Sequence, residues 1–77
     1  MKELLEFVAR ELVDNPDAVR VTETEDERGV LLQLRVDPDD MGKVIGRGGR
    51  TARALRAIVR AAATRQDLQA SVEIVED

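Results

Sequence analysis

Met41-Gly42-Lys43-Val44-Ile45-Gly46-Arg47-Gly48-Gly49-Arg50-Thr51 is the stretch that decides how the chain folds. The apolar and basic run from Met41 predicts a brief helix, brief because glycine returns at Gly46, Gly48 and Gly49. A longer helix is predicted from about Arg50 to Thr64, where Ala52, Ala54, Ala57, Ala61 and Ala63 are strong helix formers. Gly46-Arg47-Gly48-Gly49 therefore joins two helices. Glycine lets the backbone approach a ligand closely and adopt positive φ. The helix that follows aims its first amides and the positive end of its dipole at that point. A phosphodiester suits such a place. Arg47 and Arg50 supply charge-assisted hydrogen bonds. Lys43 lies one turn before the loop, and at least one of Val44 and Ile45 is placed to floor a groove for bases.

Two other glycine motifs fail on spacing. A Walker A loop counted from Gly42 needs its second glycine where Arg47 stands, and a dinucleotide fingerprint counted from Gly46 ends on Thr51. Taken alone, the loop reads equally as a tight connector between helices. Three glycines in four residues, flanked by basic residues, weigh towards binding.

Outward from this centre the chain reads as short, alternating elements. Asp37-Pro38-Asp39-Asp40 breaks the chain and offers acidic caps to the helix near Met41. Before it, Val30 to Val36 alternates: Val30, Leu32, Leu34 and Val36 face one way, and Leu31, Gln33 and Arg35 the other. Val19 to Thr24 is a second half-buried strand, and the charged turn Glu25 to Gly29 favours an antiparallel hairpin. Lys2 to Val13 is predicted to be a helix with Leu4, Leu5, Val8 and Leu12 inward and Phe7 beside them in the core; Asp14-Asn15-Pro16-Asp17 stops it.

Beyond the glycines, Thr51, Leu55, Ile58, Val59 and Ala62 form the predicted buried stripe of the long helix. Arg53, Arg56 and Arg60 share its other face. Arg56, Arg60 and Arg65 read as a solvated surface, whereas Arg53, one turn in, fits either role. Gln66 to Gln69 is a loop, and Val72, Ile74 and Val75 make a last strand. The order α-β-β-α-α-β predicts an α+β fold, a single domain over residues 1–77. The crossover through two helices sets the last two strands parallel, giving a three-stranded mixed sheet with the helices on one face.

Composition narrows the chemistry. The chain has no cysteine and no histidine, so thiolate metal sites, disulfides and the usual general base are absent. The carboxylates gather in turns and at the termini, and neither a catalytic residue nor a metal or cofactor site is expected. The acidic N-terminus is unlike a signal peptide, and no apolar run spans a membrane, which makes the cytoplasm the expected location. Net charge is −4, but residues 41–65 hold seven basic residues and no acid, whereas the other 52 hold five basic and sixteen acidic. A phosphate backbone meets the local field of +7, not the average.

Val44-Ile45-Gly46-Arg47-Gly48-Gly49-Arg50 resembles the I-G-x-x-G signature of KH domains, and the element order resembles their bacterial type II arrangement. Leu12-Val13-Asp14-Asn15-Pro16, Asp40-Met41-Gly42-Lys43-Val44-Ile45-Gly46 and Ala52-Arg53-Ala54-Leu55-Arg56 resemble the small single-KH bacterial proteins of the KhpA (YlqC-like) family, over essentially the whole chain. The resemblance implies a clamp on about four nucleotides of single-stranded RNA, with an aliphatic floor. That suits a chain whose one aromatic residue is Phe7. It further implies an RNA chaperone-like protein, homodimeric or paired with a larger KH-domain protein, linked to cell division, cell shape and cell-wall synthesis. Family members often carry a basic and then a polar residue inside the motif; here they are Arg47 and Gly48, so a side-chain contact is removed and the backbone clamp is kept.

Lys43, Val44, Ile45, Gly46, Arg47, Gly48, Gly49, Arg50 and Arg53 are thus the candidate RNA-binding residues. A protein-pairing module, with weak RNA binding or RNA binding supplied by the partner, is the competing reading. Its motive is the small core of a chain of this length.

Overall fold

The computed structural model describes residues 1–76. Helix α1 spans Lys2–Leu12, strand β1 Arg20–Asp26, strand β2 Gly29–Arg35, helix α2 Met41–Ile45, helix α3 Arg50–Arg65 and strand β3 Ala70–Ile74. Among these residues the sheet has three strands in the order β1-β2-β3, the first pair antiparallel and the second parallel. This is the expected α+β architecture, and strand boundaries shift by only one or two residues. Pro16–Ala18 and Pro38–Asp40 each form a single tight helical turn, where proline's fixed φ suits the first position.

The period of two in β2 organises the core. Val30, Leu32, Leu34 and the adjoining Val36 are all buried, while Leu31, Gln33 and Arg35 on the other face are half-buried. Register then assigns neighbours to the same face: Val21 lies opposite Leu34, and Val72 lies opposite Leu32. Val75 extends the parallel edge by donating its amide to the Leu34 carbonyl at 2.9 Å. Leu5, Ala9 and Val13 from the first helical segment, Val44 from α2, and Leu55 and Val59 from α3 complete the cluster.

Two helices turn differently from expectation. In α1 and the residue after it, the buried set is Leu5, Ala9 and Val13; Leu5 is inward as expected and Val8 is half-buried against the core, but Phe7 is 63 % exposed and Leu4 and Leu12 are exposed. In α3 it is Ala52, Leu55, Val59 and Ala63, spaced three, four and four apart; Thr51 and Ala62 are half-buried and Ile58 is 41 % exposed. In both helices a small alanine takes an inward position that the sequence reading gave to a larger side chain. The alanines let the helix axes come close to the sheet. A bulkier residue there would hold them off.

The turn before α2 also differs. Asp40 stands at the N-cap of α2, but its side chain makes no capping hydrogen bond there. Its carboxylate reaches across to the end of α1 and accepts the backbone amides of Asp14 at 3.2 Å and Asn15 at 3.0 Å. Asp40 is 2 % exposed, the one buried charged residue among those described. Asp37 does act as a cap, accepting the Asp39 amide at 2.9 Å, and its other oxygen accepts the Asn15 side-chain amide at 3.0 Å. Two aspartates thus fasten the end of α1 to the start of α2.

Candidate nucleic-acid interface

The glycine loop closes α2 and opens α3 without a spare residue. Gly46 ends α2, its amide donating to the Gly42 carbonyl at 2.9 Å, and its own carbonyl accepts the Gly49 amide at 3.1 Å. Its backbone, at φ 76 and ψ 170, lies in a region that only glycine enters easily. A Cβ at this position would also sit 2.8 Å from the backbone nitrogen of Thr51. Gly48 (φ 64, ψ 19) and Gly49 (φ 76, ψ 14) are both left-handed. At Gly48, by contrast, a Cβ would meet nothing within 4 Å. The first glycine is therefore demanded by conformation and packing together, the third position by conformation alone.

Gly49 is the N-cap of α3, and no side chain caps this end. The Arg50 amide is taken by the Arg47 carbonyl, and no side chain answers the first-turn amides that follow it. The first turn of α3 carries no acid. Instead Arg47, Arg50 and Arg53 gather where the helix dipole is already positive, an arrangement that disfavours the free protein and favours an anion. Among the described residues none of these three guanidinium groups has a carboxylate within ion-pair distance. Arg53 lies against the loop, with a guanidinium nitrogen 3.7 Å from where a Gly49 Cβ would stand.

The other expected site residues divide. Ile45 is 38 % exposed immediately before the loop, whereas Val44 is fully buried and supports α2 from beneath. So Ile45, not Val44, is the residue available to floor a groove. Lys43 is held: its ammonium lies 3.1 Å from the Asp14 carboxylate and 3.8 Å from Asp40. The hydrogen bond and charge of Asp14, with smaller contributions from Asp40 and Asp39, raise the Lys43 pKa above that of an ordinary lysine. Farther along α3, Arg56 is half-buried and donates to the Val72 carbonyl at 3.3 Å, so it belongs to the packing against β3 and not to a free charged surface. Arg60 and Arg65 are exposed at the far end.

The sequence reading missed Asp14 and Asp40 as neighbours of this site. The signal available was Asp40 three residues before Lys43, the spacing of a helical ion pair. Nothing local marks Asp14, which comes near only because the fold brings the end of α1 beside α2.

The chain is similar to known proteins along nearly its whole length. The family described as KhpA/KhpB, KH domain matches residues 2–74. The chain is 53 % identical over 76 residues to the RNA-binding protein KhpA of Halalkalibacterium halodurans, covering 99 % of this chain and all of that protein. It is 49 % identical over 75 residues to KhpA of Clostridium acetobutylicum, covering 97 % and 100 %. With KhpA of Aquifex aeolicus the figures are 51 % over 76 residues, covering 99 % and 96 %.

Proposed function

The chain belongs to the KhpA/KhpB KH-domain family, and from that premise we propose that it is a non-catalytic RNA-binding protein whose Gly46–Gly49 loop clamps a single-stranded RNA backbone. The observation that carries this reading is the open N-terminal end of α3. It has no side-chain cap and no acid in its first turn, and it gathers three arginines, Arg47, Arg50 and Arg53, that among the described residues have no carboxylate within ion-pair distance. An oligonucleotide phosphate satisfies both at once. Gly46, Gly48 and Gly49 let the backbone come close, Ile45 gives the bases an aliphatic surface, and Lys43 adds a further cation beside the loop. Backbone contacts of this kind hold RNA with little regard to sequence.

The exposed Phe7, Leu4, Leu12 and Ile58 favour a second property, pairing with another copy or with a larger KH-domain protein. Pairing compensates for the short grip of one domain by raising the effective concentration of a second. A cytoplasmic, chaperone-like role connected with cell division, cell shape and wall synthesis completes the reading and rests on the family resemblance.

The test is binding of a short single-stranded RNA to wild type and to the double variant Arg47→Asp/Gly48→Asp at two salt concentrations, with circular dichroism to monitor folding. Salt-sensitive binding by wild type and none by the folded variant is expected. Equal binding by the two proteins refutes the clamp.

A further inference from the structure

Lys43 differs from every other cation of the basic segment. Among the described residues, Arg47, Arg50, Arg53, Arg60 and Arg65 have no carboxylate within ion-pair distance, and Arg56 donates to a backbone carbonyl. Lys43 alone has two acids, and they are of different kinds. Asp40 is buried and fixed, because its oxygens also hold the amides of Asp14 and Asn15. Asp14 is free to move: its side chain is 82 % exposed, and its structural bond to Asp40 is made by its backbone amide and not its carboxylate.

We propose that Asp14 attenuates RNA binding by holding the Lys43 ammonium, and that an RNA phosphate takes Lys43 over by displacing the Asp14 carboxylate. The inference rests on the RNA-binding reading above and adds to it a residue that sets affinity.

Three physical points support the exchange. An exposed lysine–aspartate pair contributes little to stability and is readily screened, so breaking it costs the fold almost nothing. The lysine side chain is a long, flexible stem carrying a compact charge, and Lys43 stands one helical turn before Gly46, within reach of the loop. Asp40, 3.8 Å away, remains behind as a counter-charge, so Lys43 is never left unpaired while it changes partners. The raised pKa of Lys43 keeps it cationic throughout. In the free protein the acids also keep that charge from adding to Arg47 and Arg50, so a weakly charged competitor meets a weaker field than a polyphosphate able to displace Asp14.

A double-mutant cycle tests this with a fluorescent oligouridylate as the probe. The proteins are wild type, Asp14→Asn, Lys43→Gln and the double variant. Both side chains are outside the core, and thermal melting confirms that all four are folded. At low salt, Asp14→Asn is expected to tighten binding about twofold to fivefold, the scale of an exposed ion pair. In the Lys43→Gln background the same change should leave affinity where Lys43→Gln alone has it. Equal tightening in both backgrounds overturns the proposal, because Asp14 would then act only as a general negative charge. No tightening in either background also overturns it. If wild type binds no RNA at either salt, the RNA-binding reading itself falls, an outcome distinct from a wild type that binds and does not respond to Asp14.

Discussion

The Asp40 carboxylate accepts the backbone amide of Asn15 at 3.0 Å across 25 residues of sequence, and with the Asp14 amide it makes a two-pronged tie between α1 and α2. α2 carries only five residues and ends directly in the glycine loop, and Val44 is its one buried side chain. The tie supplies what the short helix lacks. Replacing Asp40 by alanine would take the carboxylate acceptor from two part-buried backbone amides and remove a neighbour of Lys43. A loss of about 2–3 kcal/mol is expected, lowering the melting temperature by about 10 °C or more in a domain of this size. Asp40→Asn, which retains one acceptor oxygen, should fall between. Thermal unfolding followed by circular dichroism decides the matter, and an alanine variant that melts with wild type would mean the tie carries no weight.

Asp37 should make the protein acid-sensitive. Its carboxylate accepts the Asn15 side-chain amide and then the Asp39 backbone amide, and these bonds hold its pKa below the ordinary aspartate value of 3.8. The folded value is depressed, so the stability it contributes is complete above the unfolded value and is lost as pH falls through the folded one. The stability difference between wild type and Asp37→Asn should therefore be constant from neutral pH down to about 4 and shrink below it. Melting temperatures of both proteins across that range check it. A difference that grows on acidification would reverse the assignment.

The arginines of α3 should separate by position. Arg50 and Arg65 lie at the two ends of a helix, about 22 Å apart along its axis at 1.5 Å per residue. That separation is more than twice the screening length of about 8 Å at physiological salt. Arg50→Gln should weaken RNA binding and lower the slope of log affinity against log salt by about one. Arg65→Gln should change neither appreciably. Salt titrations of both variants distinguish a clamp at the loop from diffuse attraction along the whole helix, in which case the two would behave alike.

Much of this was legible in the residues because the decisive signals are local. The alternation of β2 named Val30, Leu32, Leu34 and Val36 as core, and all four are. The glycine spacing marked the junction between α2 and α3, and Gly46, Gly48 and Gly49 all adopt positive φ there. Helix rotation was less legible. A pattern of apolar residues fixes a face only to within a residue or so when alanines are plentiful, because alanine fits either side. Ala9, Ala52 and Ala63 went inward, and Phe7 and Ile58 outward. The ion pairs of Lys43 were invisible for a different reason: one of its two partners lies 29 positions away, and only the assembled fold makes them neighbours.

The parallel pairing of β2 with β3 joins Val30 to Ala70, 40 positions on, and the glycine loop lies inside the crossover between the two strands. The β1–β2 hairpin needs only its own short turn to form. The backbone bonds that shape the loop span only three or four residues, from Gly46 to Gly42 and from Gly49 to Gly46. What the longer closure sets is the footing beneath it, because Leu55 and Val59 of α3 pack in the core that β3 completes and Arg56 donates to the Val72 carbonyl. The clamp is thus shaped locally and held in place globally, so a change that loosens β3 spares the bends of the turn and unsettles the helix that presents it.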